Sequence, residues 1–167
     1  AASLNRGTAC VVAAQIVSAG QRTAWGQQYD CLTLTPGSAR NYEMPSISSG
    51  ESADVMLFLM RLPNPNTNVI AAIHAAAAWF ERVALRDVAY QRVGADGRHL
   101  VAAPGHAPIW SRYYDLNTNQ PIFGDRDKSI HDTVEEISRE RRDGYAWFNE
   151  APTEALKRYA AWKLARQ

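Results

Sequence analysis

The stretch from Asn64 to about Leu85 limits most what this chain can fold into. Asn64 offers an N-cap oxygen. Pro65 follows, and its fixed φ and lack of an N–H suit a first helical position. Val69, Ile73, Ala76, Phe80 and Val83 then recur at intervals of three and four, on one face. Such a helix carries an apolar stripe that other elements must cover. Further helices are expected nearby. Thr8 to Val17 is apolar with small residues and reads as a buried helix ended by Gly20. Ser48-x-x-Glu51 is a capping-box pattern leading into Ala53, Met56, Leu57 and Met60. Asp132-x-x-Glu135 is a second, with a stop near Gly144, and Thr153 caps a last helix through Leu156, Tyr159, Ala160 and Trp162.

The segments between these helices are long and aperiodic. Trp25 to Leu34 reads as extended chain or loop, Pro36-Gly37 as a turn, and Ser38 to Gly50 as a loop that wraps over something. Val88–Val93 and His99–Ala102 are strand candidates around an Asp96-Gly97 turn. Ile109 to Leu116 and Pro121 to Phe123 read as a hairpin around Asn117-Thr118-Asn119-Gln120. Helices joined by irregular, aromatic-rich loops suit a site carried on those loops.

At 167 residues the chain is the size of one domain, and with 46% apolar and 21% charged residues it can bury a core. No window approaches the roughly 20 apolar residues of a membrane span. A net charge of +1 gives no general drive toward nucleic acid or membrane. The opening Ala1-Ala2-Ser3-Leu4-Asn5-Arg6 reads as the interior of a longer chain, so the lack of a signal pattern says nothing about secretion. Cys10 and Cys31 lack zinc spacing and fit either one disulfide or two buried thiols. The four histidines form no HxxxH or HxH pair. GxSxG, P-loop, GxGxxG and HExxH patterns are absent, which weakens serine-hydrolase, nucleotide and zinc-protease readings.

What remains is arginine. Fifteen of the eighteen basic residues are arginine, which fits either coding bias or an anionic substrate met by planar forks. Arg40 lies in Ser38-Ala39-Arg40-Asn41-Tyr42-Glu43, between a turn and a proline. Arg112 lies in Trp110-Ser111-Arg112-Tyr113-Tyr114-Asp115, and in a strand Trp110, Arg112 and Tyr114 would point one way. An arginine between two aromatic rings suits a sugar carboxylate. Arg126 sits between Asp125 and Asp127, where a solvated ion-pair network is the plainer reading. Arg139, Arg141 and Arg142 read as a charged helix face. Trp79-Phe80 and Trp147-Phe148 read as core before sugar platforms, Glu135 as a capping residue, and His74 and His131 as helix-surface or capping residues.

In these segments the chain resembles the family 10 polysaccharide lyases, a group of pectate lyases. The matching stretches are Ser38 to Ser46, Gly50-Glu51-Ser52, Leu62-Pro63-Asn64-Pro65, Ser111 to Leu116, Pro121 to Asp127 and Glu140 to Tyr145, in consistent order over nearly the whole chain. The resemblance implies a mostly α fold, part of an (α/α)3 toroid or barrel with long irregular loops and a short β-hairpin. It implies calcium-assisted β-elimination of polygalacturonate, with Arg40 as the catalytic base and Arg112 and Arg126 binding substrate carboxylates. It makes residues 1–167 the C-terminal part of one secreted catalytic domain. The N-terminal remainder is then a partner, and the calcium ligands lie outside this chain. A non-catalytic polyuronate-binding module is the alternative. Such modules are usually β-sandwiches.

Overall fold

The structure, a computed structural model, describes residues 2–166. Five α-helices are present among them: α1 (Ala2–Ala13), α2 (Ser49–Met60), α3 (Thr67–Val83), α4 (Arg139–Gly144) and α5 (Ala151–Leu164). Ten strands pair into five separate two-stranded antiparallel sheets. Among the described residues no closed barrel and no ring of paired helices forms, so the expected (α/α)3 toroid is corrected to helices packed on small sheets. The reason is local. Residues 14–48 and 84–138 are broken by turn residues, among them Ala19, Leu34, Asp87, Asn119 and Lys128 at positive φ. Such chain cannot continue a helix.

The central helix is α3, and its apolar face is the one the sequence predicts. Val69, Ile73, Ala76, Phe80 and Val83 are all buried, joined by Ala72, Ala77 and Trp79. Its cap is Asn66, two residues after the proposed one, whose side chain accepts from the Val69 N–H at 3.0 Å. Helices α2 and α5 pack on it and on each other. The small side chains of Ala72, Ala76 and Ala77 allow close approach, and Trp79 and Phe80 fill the remaining space. The Trp110 Nε1–H donates to the Phe80 carbonyl (2.9 Å) and the Tyr114 hydroxyl to that of Val83 (3.1 Å). Buried aromatic polar atoms are thus satisfied by the last turn of α3.

Helix α1 starts earlier than expected and ends at Ala13, and only Thr8 on it is buried. Beyond it the chain turns extended, because Ile16 and Thr23–Ala24 exchange backbone hydrogen bonds. Gly20, at φ +76°, belongs to the turn between β1 (Val17–Ser18) and β2 (Gln21–Arg22), not to a helix end. The pair β4 (Val88–Arg92) and β5 (Arg98–Ala102) agrees with the two strand candidates, and Gly97 supplies φ +97° at their turn. The hairpin around Asn117–Gln120 is closed by Asp115 N–H donating to the Gln120 carbonyl (2.9 Å) and by an isolated bridge from Tyr114 to Pro121.

The longer pairings reach across the chain. Strand β3 (Ile47–Ser48) pairs with β7 (Tyr113–Tyr114), and β6 (Trp110–Ser111) with β10 (Phe148–Asn149). These two-residue ladders dock the Arg40, Arg112 and Tyr145 segments on one another. Beneath them lies a second apolar cluster of Tyr113, Ile122, Phe123, Val134, Ile137 and Trp147.

Candidate active site

The loop that carries Arg40 is tied to one buried carboxylate. Glu43 is 1% exposed. Its Oε2 accepts from the Arg40 backbone N–H (3.2 Å), and its Oε1 pairs with the Arg40 guanidinium (2.7 Å) and accepts from the Tyr145 hydroxyl (2.5 Å). The backbone closes the same turn, with Glu43 N–H donating to the Arg40 carbonyl (2.9 Å) and Ala39 N–H to that of Glu43 (3.1 Å). Burial alone pushes the Glu43 carboxyl up. The hydrogen bonds from Arg40 and Tyr145 and the Arg40 charge outweigh burial and hold it below its ordinary value. The same pair raises Arg40 above the ordinary arginine range. Arg40 itself is exposed, at 61% of its side chain.

From Glu43 a hydrogen-bonded line runs to Arg112. The Tyr145 hydroxyl lies 2.9 Å from that of Tyr113, which accepts from the Arg112 Nε–H at 3.1 Å. The Tyr113 hydroxyl also reaches Gln27 Oε1 (2.7 Å). Desolvation raises Tyr145 and Tyr113, and the neighbouring Glu43 carboxylate pushes Tyr145 further. Arg112 also pairs with Glu51 (3.0 Å), and Glu51 is bonded to Ser48. Ser48 does stand at the N-cap of α2, but the expected Ser48–Glu51 capping box does not form. Ser48 makes no bond to the helix backbone, and its partner carboxylate is turned toward Arg112. Arg112 does not sit between Trp110 and Tyr114. The chain bends at Arg112, both aromatics enter the core, and the guanidinium lies against Tyr113 (5.5 Å) and Tyr145 (5.3 Å) instead.

Arg126 joins the same surface from the other side. Its guanidinium binds Glu140 through two hydrogen bonds (2.9 and 2.7 Å), not the flanking aspartates, and lies 5.3 Å from the Tyr42 ring centroid. Arg40 lies 5.7 Å from that centroid. The Glu140 pair raises Arg126 as the Glu43 pair raises Arg40. Gly124 permits this approach, since a Cβ there would collide with the Tyr42 carbonyl. The structure therefore gathers Arg40, Arg112 and Arg126 on one open face around Tyr42 and Tyr145. The largest cavity lies elsewhere, between α1 and residues 62–66.

Sequence reading missed the residues that bind this face together. Tyr42, Glu43 and Tyr145 were visible only as neighbours of arginines. Arg141 and Arg142, expected on a solvated helix face, are 3% and 8% exposed. The helix that carries them is one and a half turns long, and its inner side packs on the second apolar cluster. Trp79, Phe80 and Trp147 are core, as expected, and Phe148 is only partly buried. Glu135 accepts from the Leu100 N–H (3.0 Å), while the second capping box belongs to Thr133 and Glu136, one residue on. His74 contacts the Tyr159 hydroxyl (2.7 Å), and His131 contacts Ser129 (2.7 Å). Cys10 and Cys31 are free and exposed. No described helix is long and apolar enough to cross a membrane.

An open face lined by arginine forks and tyrosine rings suits the pairing of carboxylates. Residues 1–156 match the pectic acid lyase family, and the chain belongs to it. Among solved structures it is similar to the family 10 polysaccharide lyase from Cellvibrio cellulosa. The identity is 34% and the TM-score 0.90, over 97% of this chain and 50% of that one. A mutant of that lyase in complex with trigalacturonic acid matches at 34% identity and a TM-score of 0.89, over 96% and 50% of the two chains. This chain thus spans half the length of the solved relatives. No curated protein matches it.

Proposed function

We propose that residues 1–167 form the C-terminal part of a secreted pectate lyase domain that cleaves polygalacturonate by β-elimination, with Arg40 at the C5 proton. One observation carries this reading. Three arginines far apart in sequence meet on one face. Arg40 and Arg126 share the Tyr42 ring, and Arg40 and Arg112 share the Glu43–Tyr145–Tyr113 line. The relative's complex with trigalacturonic acid supports the substrate class.

In the proposed reaction the C5–H bond breaks and its electron pair is delocalised into the adjacent carboxylate. The C4–O4 bond then breaks, a C4–C5 double bond forms, and the departing oligosaccharide takes up a proton at O4. Fixed positive charge near the carboxylate lowers the cost of the developing negative charge. Arg112 and Arg126 supply that charge and orient the sugar. For Arg40 to accept the C5 proton its guanidinium must first lose one, and its contact with Glu43 opposes this by stabilising the charged form. The base role therefore requires that contact to open when substrate binds. The contact also favours a second reading, in which a water molecule takes the C5 proton while Arg40 stays charged and stabilises the enolate-like intermediate.

Calcium finds no place among these residues. A calcium ion takes about six to eight oxygens. Among the described residues no group of three or more His, Cys, Asp or Glu is placed to hold a metal. The site's carboxylates are committed to arginines. In our reading the calcium ligands belong to the N-terminal remainder of the domain.

The test is Arg40→Ala in the protein carrying the complete catalytic domain. The variant should form no unsaturated product, read by ultraviolet absorbance of the C4–C5 double bond, while still binding trigalacturonate. Retained turnover removes Arg40 from the chemistry. A wild type that binds but yields no unsaturated product leaves a binding protein instead. An alkaline rise in kcat distinguishes a base from a permanently charged Arg40.

A further inference from the structure

One arginine of the cluster has no anion. The guanidinium carbon of Arg141 lies 3.9 Å from the Tyr42 ring centroid, 4.4 Å from that of Tyr145 and 5.2 Å from that of Trp147. Among the described residues no carboxylate comes within 4.0 Å of it, whereas Arg40, Arg112 and Arg126 each have one. Its Nε and Nη2 are buried with no hydrogen-bond partner. A desolvated guanidinium in this state is costly. Three π faces offset part of that cost by cation–π attraction.

Arg141 is also where the site's parts converge. Tyr42, whose ring it touches, is flanked by Arg40 and Arg126. Tyr145, its other neighbour, is flanked by Arg112 and bonds Glu43. Asp125 and Glu140 feel its charge but are held by other partners, Asp125 by Ser138 and Glu140 by Arg126. Four guanidinium groups therefore meet only three glutamates in direct ion pairs, and the fourth, with the Asp125 carboxylate near it but not in contact, sits against the two rings that carry the other three arginines.

We propose that Arg141 is a positioning residue and the charge reserve of the site. It fixes Tyr42 and Tyr145 by cation–π contact, and its charge, held by no direct ion pair, biases the face toward a uronate carboxylate. The proposal rests on the polyuronate reading of the previous subsection.

The test uses the protein with its complete catalytic domain and compares wild type, Arg141→Met and Arg141→Lys. Arg141→Met should unfold at the same or a higher urea midpoint, because it removes an uncompensated buried charge. It should also bind trigalacturonate at least about ten-fold more weakly, as measured by calorimetry, on the scale of one lost charged contact. Arg141→Lys keeps the charge and should recover most of that affinity. Wild-type affinity in Arg141→Met overturns the proposal. So does a parallel fall of midpoint and affinity in which Arg141→Lys is no better than Arg141→Met, which marks a purely structural residue. A wild type that binds trigalacturonate but releases no unsaturated product defeats the lyase reading and leaves these two arms decisive for Arg141. A wild type that binds no polyuronate overturns the charge role.

Discussion

Replacing Glu43 by glutamine tests the geometry of the Arg40 loop directly. The carboxylate is 1% exposed and receives three hydrogen bonds, from the Arg40 amide, the Arg40 guanidinium and Tyr145. An amide presents one acceptor oxygen and one NH2 group. If its oxygen stays with Tyr145, the Arg40 N–H faces a donor and loses its partner, at about 1–3 kcal/mol. The Tyr145 bond passes from charge-assisted to neutral, a loss of about 1 kcal/mol. The contact to the exposed Arg40 head group adds little and is left out of the sum. Glu43→Gln should therefore cost about 2–4 kcal/mol at neutral pH. Urea unfolding of the complete domain, compared at constant m-value, measures it. The pH dependence supplies the sharper check. Because the folded-state pKa of Glu43 is depressed, its stabilisation is fully present above the unfolded value of about 4.3 and is lost as pH falls through the folded value. The gap between wild type and variant should narrow as pH drops below about 4. Equal stability at neutral pH, or a gap that does not depend on pH, would refute the role given to this carboxylate.

Two further substitutions probe the site's supports. Gly124→Ala places a Cβ against the Tyr42 carbonyl, and backbone cannot yield as a flexible side chain can. It should cost about 1–3 kcal/mol in urea unfolding and lower turnover by moving Tyr42. Arg126→Ala removes an exposed arginine, so the unfolding midpoint should hold while trigalacturonate binding weakens, and calorimetry decides this.

The sequence was most legible where the signal is periodic. The buried face of α3 and the β4–β5 hairpin follow from side-chain spacing and turn residues alone. Helix α1 was misplaced because Val11, Val12, Ile16 and Val17 look continuous, and nothing local shows that Ile16 will pair with Ala24. The toroid failed for a related reason. Family likeness predicted the architecture of a whole domain, while half the length carries irregular segments of its own. At the site, the arginines were readable as residue types, but their partners were not. Glu43 meets Tyr145 across 102 positions and Arg112 meets Glu51 across 61, and no window of sequence spans either. Arg141 was misread because neighbouring charges usually mark a wet helix face. A six-residue helix has too few turns for periodicity to reveal its inner side.

Those long separations also bear on the order of events during folding. Helices α2 and α3 are neighbours in sequence, so their packing forms quickly, whereas α5 joins them only across a long intervening stretch. The two-residue ladders β3–β7 and β6–β10 each close a loop of dozens of residues for very few hydrogen bonds, so their entropy is repaid only after the helical core exists. The face that gathers Arg40, Arg112 and Arg126 is thus completed late. By the same reasoning it opens early under stress, at the low-stability end of the molecule. Chemistry and folding lie on different parts of this chain: its helices keep it compact, and its slowest contacts bring the arginines together.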